Sequence, residues 1–114
     1  MPFKKINDEQ VQHNRLVGSR IRIFRELINM SQVELGSKLG FSSRGTMSLI
    51  ESGKRGISLM QLRKAAHVLD TYPELLSDQR DLTKNDLVIL NTLIKIVKDT
   101  KHPLHKTIIE LASK

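Results

Sequence analysis

Apolar residues recur at helical spacing along almost the whole chain. Val17, Ile21, Phe24 and Ile28 fall at i, i+4, i+7 and i+11, which predicts a first helix with one apolar face, ending near Asn29. Residues 8–14 either extend this helix or fray from it. Ser31-Gln32-Val33-Glu34 reads as a capping box opening a short second helix, which Gly40 stops by taking the left-handed conformation. Ser42 and Ser43 are the N-cap choices for a third short helix carrying Met47 and Ile50 and ending at Ser52-Gly53. After a Lys54-Arg55-Gly56 loop, Ser58-Leu59-Met60-Gln61 is a second capping box. The helix it opens puts Leu59, Leu62, Ala66 and Leu69 on one face. Pro73 suits the first turn of a brief helix. Thr83 caps a longer helix to about Asp99, and Pro103 separates a last one bearing Leu104, Ile108 and Leu111. There are four aromatic residues and no clean alternating run. The pattern therefore predicts an all-α chain of about seven helices.

Composition narrows the function classes. A chain of 114 residues without cysteine has room for about one domain and has no disulfide, thiolate metal site or cysteine nucleophile. Its net charge is +7, a balance that attracts polyanions. Residues 1–60 hold ten basic and five acidic side chains, and residues 61–114 hold nine and seven, so the excess lies mainly in the first half. The longest aliphatic run, at residues 87–90, is far too short to span a membrane. The expectation is a cytoplasmic protein without a membrane partner. His13, His67, His102 and His105 have no acidic or cysteine partners at ligand spacing, and there is no glycine-rich phosphate loop. No metal site, cofactor or catalytic residue is expected.

Two short helices joined by a tight glycine-containing turn form a helix-turn-helix, whose second helix is offered to a major groove. On a 100° wheel Met47 and Ile50 face the core, with Ser43 and Thr46 beside them. Gly45, Ser48, Leu49 and Ser52 take the opposite arc, with Arg44 at its edge. These five are the candidates for reading base edges. Arg44 suits either guanine O6 and N7 or a phosphate, Ser48 pairs with several bases, and Leu49 suits a thymine methyl. Gly45 allows close backbone approach and reads nothing itself. Ser43 is a phosphate candidate beside them, and Lys4 and Lys5 could form a basic arm.

The residues of this unit carry a resemblance. Met30-Ser31-Gln32-Val33-Glu34-Leu35-Gly36-Ser37-Lys38-Leu39-Gly40-Phe41-Ser42, followed by Thr46-Met47-Ser48-Leu49-Ile50-Glu51-Ser52-Gly53-Lys54-Arg55, closely resembles the Cro/phage-repressor-type helix-turn-helix family, also called the xenobiotic response element family. The similarity runs from about Val17 to Leu76. It implies a five-helix lambda-repressor-like DNA-binding domain, here with one or two extra C-terminal helices, acting in a dimeric transcriptional regulator. It implies that Gln32 lies against a phosphate at a helix N-terminus, and that the Lys54-Arg55 loop is a second phosphate clamp. It also implies that Arg25 and Glu51 form an ion pair fixing the recognition helix, expected at about residues 43–52, and that Gly36 is the small residue where two helices approach. Between Gly40 and Met47 the chain is one residue longer than the commonest family spacing.

These readings divide the chain into a DNA-binding domain at residues 1–76, with an N-terminal arm at 1–14, and a C-terminal helical extension at 77–114. In that extension seven of eight aliphatic side chains between residues 87 and 99 fall within half of the wheel, wider than one surface helix needs. Leu87, Leu90, Leu93, Ile94 and Val97 are the expected homodimer interface, with burial in one enlarged core as the competing explanation. The expected function is sequence-specific binding of double-stranded DNA as a homodimeric repressor. The alternative is a DNA-binding antitoxin or a protein-interaction module whose C-terminal helices bind a partner protein.

Overall fold

The computed structural model describes residues 2–113, and side chains from Asp8 to Ser113. Among the described residues the chain forms seven α-helices and no strand. It divides into two compact units, Met1–Arg80 and Asp81–Lys114.

The first unit is built on α1 (Pro2–Leu27). Residues 8–14 extend that helix, and the side chains of Lys4 and Lys5 lie outside the described ones. Val17, Ile21 and Phe24 are buried as their spacing predicts, but Ile28 is exposed. It lies one residue beyond the helix, where Asn29 turns to φ 56° and the Met30 N–H closes onto the Arg25 carbonyl. Arg20 sits among these apolar residues almost fully buried. Its guanidinium donates to the Leu75 carbonyl at 2.8 Å and the Arg80 carbonyl at 2.7 Å, which ties α1 to the chain around α5 (Pro73–Ser77). Two carbonyls thus receive donors where an unpaired buried charge would be costly.

Helix α2 (Gln32–Lys38) begins as expected at Ser31, whose hydroxyl accepts the Glu34 N–H at 3.0 Å; the reciprocal half of the box is not made. Gly40 at φ 82° ends it, and the Phe41 N–H bonds back to the Gly36 carbonyl at 2.9 Å. Helix α3 (Thr46–Glu51) crosses α1 at Gly18. A Cβ there would stand 2.7 Å from the Glu51 carbonyl oxygen and collide with that of Ile50, so the close approach requires glycine. Gly36 lies at the milder approach of α2 and α3, where an added Cβ would meet the Met47 side chain at 3.0 Å and displace it by only a few tenths of an ångström. Helix α4 (Leu59–Val68) has the full capping box of Ser58 and Gln61. Leu62, Ala65, Ala66 and Leu69 are buried, whereas Leu59 is exposed because the first turn projects from the core. Leu75 and Leu76 of α5 complete that core.

In the second unit α6 (Lys84–Lys98) opens with a full capping box of Thr83 and Asp86 and packs against α7 (His105–Ala112). The His105 ring nitrogen Nδ1 lies 3.2 Å from the Ile96 carbonyl oxygen. Leu104 occupies the N-cap position of α7 without a side-chain hydrogen bond instead of lying within the helix, and both Leu104 and Leu111 are exposed, leaving Ile108 as the half-buried residue of the three expected on this helix.

Candidate nucleic-acid interface

The site begins with a carboxylate. Glu51, at the end of α3, accepts from Arg25 Nε at 2.7 Å and Nη2 at 3.0 Å, a paired contact from α1. Its Oε1 also accepts from Gln32 Nε2 at 3.1 Å, and Arg25 Nη1 donates to the Met30 carbonyl at 2.7 Å. The Glu51 side chain is 3% exposed and that of Arg25 11%. Its hydrogen bond to Glu51 holds the Arg25 guanidinium above its ordinary pKa, against the lowering effect of burial. One carboxylate therefore fastens α1, α2 and α3 together at the end of α3.

With that end held, the faces of α3 separate cleanly. Thr46, Met47, Ile50 and Glu51 are buried; Ser48, Leu49 and Ser52 are exposed. The Ser52 hydroxyl donates to the Leu49 carbonyl at 3.1 Å, which leaves its lone pairs for an outside donor. The recognition helix is shorter than the expected span of 43–52. Ser43, Arg44 and Gly45 form a turn before it, with the Thr46 N–H 3.4 Å from the Ser43 carbonyl oxygen and Gly45 at the N-cap position. Neither Ser42 nor Ser43 caps the helix, because the additional residue of this connection is taken up in the turn. Arg44 is thus carried on a turn and remains exposed, as do Ser43 and Gly45. Nothing lies within 4 Å of where a Gly45 side chain would begin, so packing does not require glycine there.

A groove of about 120 Å³ brings several of these positions together, lined among others by Gln32, Val33, Gly36, Phe41, Ser43 and Arg44. Gln32 spends one amide hydrogen on Glu51 and keeps the other. Beyond the C-terminal end of α3, the Lys54 and Arg55 N–H groups both donate to the Leu49 carbonyl, at 3.0 and 3.2 Å, next to Gly53 at φ 79°. Their side chains are exposed, and the Arg55 guanidinium lies 5.9 Å from the centre of the Phe41 ring.

Of the residues expected at a dimer interface, Leu87 is fully buried within the chain and is unavailable to a second subunit. Leu90 and Ile94 are half-buried, and Leu93 and Val97 are exposed. Ile89, outside the expected set, is more exposed than any of them, at 57%. Gly18 and Arg20 were not singled out by the sequence pattern, although each left a signal: a glycine in mid-helix, and a charge bordering the apolar arc of Val17, Ile21 and Phe24.

The geometry is that of a helix-turn-helix, with α2 buttressing a short α3 whose outer face is free. Residues 21–76 match the family model described as Helix-turn-helix, roughly half of the chain. The domain belongs to the Cro/phage-repressor-type, or xenobiotic response element, helix-turn-helix family, and its class is that of DNA-binding transcription regulators. No curated protein and no solved structure matches the chain. No helix among the described residues is long and apolar enough to cross a membrane.

Proposed function

We propose that the protein is a repressor that binds a specific, near-palindromic DNA duplex as a homodimer, with α3 in the major groove. The observation that carries this reading is the division of α3. Its inner face is buried and pinned by Glu51, while Ser48, Leu49 and Ser52, with Arg44 and Gly45 in the preceding turn, are left to meet bases. Arg44 donates to a guanine edge, Ser48 pairs with several bases, Ser52 accepts from a base donor through its remaining lone pairs, and Leu49 covers a thymine methyl. A reader with so few long polar side chains also depends on duplex shape. Gln32, Ser43, Lys54 and Arg55 flank α3 on both sides and anchor it through phosphates.

One α3 reads only a few base pairs, so specificity requires a second copy. Two recognition helices about 34–36 Å apart would meet successive turns of one face of the duplex. Leu93 and Val97 on α6 are exposed apolar residues suited to joining the copies, with Leu90 and Ile94 at their border. Those same residues favour the second reading, in which the C-terminal helices bind a partner protein, as in an antitoxin. Selection from a random duplex pool tests the proposal: it enriches a site with two-fold symmetry. Enrichment of no duplex at low salt would leave the protein-interaction reading in its place.

A further inference from the structure

The turn that leads into α3 and the loop that leaves it are bridged by one side-chain contact, the Arg55 guanidinium against the Phe41 ring, 5.9 Å from its centre. Both partners are fixed at the backbone. Phe41 follows Gly40 at φ 82°, bonds to the Gly36 carbonyl and is half-buried. Arg55 lies two residues after Gly53 at φ 79°, and its N–H donates to the Leu49 carbonyl. The Arg55 side chain itself is exposed, and a long exposed side chain loses rotamer freedom when it docks on a ligand. An aromatic face attracts the cation through its quadrupole. It offers no acceptor oxygen, so the fork of N–H donors keeps its capacity for a phosphate.

We infer that Phe41 is a positioning residue for DNA binding, holding the Arg55 guanidinium beside the recognition helix in the orientation in which it meets a backbone phosphate. This rests on the reading of Arg55 as a phosphate contact. Phe41 itself touches no phosphate, so its effect on binding passes through Arg55. Lys54, next in the same loop, makes the comparison: a point charge on a flexible stem gains little from such alignment.

The test is a double-mutant cycle on the duplex enriched by selection, with binding followed by fluorescence anisotropy across salt. Phe41→Leu keeps apolar bulk and removes the ring, and weakens binding about two- to fivefold on every sequence. Phe41→Tyr keeps the ring and stays within about twofold of the wild type. Arg55→Ala lowers the salt slope by about 0.9, and in that background Phe41→Leu has no further effect. In the DNA-free protein, the Arg55 side-chain protons show an upfield ring-current shift that disappears in Phe41→Leu. Equal losses from Phe41→Leu with and without Arg55, equal losses from Leu and Tyr, or an unchanged Arg55 shift would each overturn the inference. Wild-type protein that binds no duplex would instead remove the DNA-binding reading on which it rests.

Discussion

Three hydrogen bonds converge on the Glu51 carboxylate, two from Arg25 and one from Gln32, and the angle of α3 depends on them. Arg25→Ala leaves that carboxylate buried with Gln32 as its remaining side-chain donor. Breaking a buried pair costs about 3–5 kcal/mol, mostly because one charge is left uncompensated. Urea unfolding is expected to show a loss near the lower end, since the pair lies at the edge of the core. Asp78 offers a different residue-scale test. Its carboxylate accepts from the Arg80 guanidinium and backbone N–H, which lowers its pKa from 3.8 to about 2. A folded value below the unfolded one means that its contribution is complete above about pH 4 and disappears as pH falls through about 2. An NMR titration of the Asp78 carboxyl should therefore show a midpoint near 2, moving back toward 3.8 in Arg80→Ala.

At the scale of elements, the decisive approach is α1 on α3 at Gly18. Gly18→Ala gains about 1 kcal/mol of helix propensity but drives a methyl into two backbone carbonyls that cannot rotate away. Overpacking costs about 1–3 kcal/mol or more, so the clash wins and thermal unfolding moves to lower temperature. The two ends of α3 make a second contrast. Arg44→Ala should relax preference at one base position, whereas Lys54→Ala should weaken all sequences alike and reduce the salt slope by about 1. Anisotropy on single-base variants of the enriched duplex separates them. Much at this scale was legible in the residues, because caps and periodicity are local: Ser31, Ser58 and Thr83 open the helices they were expected to open. The Arg25–Glu51 pair and the role of Gly36 were legible only through family resemblance, since no local rule joins residues 26 positions apart. The start of α3 was misread because serine is a good cap in general, while the longer turn here places Gly45 at the cap. Ile28, Leu59 and Leu111 misled for one reason, that a periodic pattern does not say where a helix ends or which turn projects from the core.

For the whole molecule, the two units carry different parts of the argument. The first holds every candidate DNA contact; the second holds the exposed apolar residues proposed to join two copies. Leu93→Glu changes only that second surface. If α6 joins two copies, light scattering should find the wild type at twice the chain mass and the variant at the chain mass, with the variant losing duplex affinity although α3 is untouched. A wild type that is monomeric at tens of micromolar would sink the dimer. Specificity itself is the central claim, and one comparison reaches it: wild-type affinity at physiological salt for the enriched duplex against a shuffled duplex of the same length and composition. A sequence-reading α3 predicts binding at least about 10³-fold tighter to the enriched site. Equal affinity for the two would contradict it.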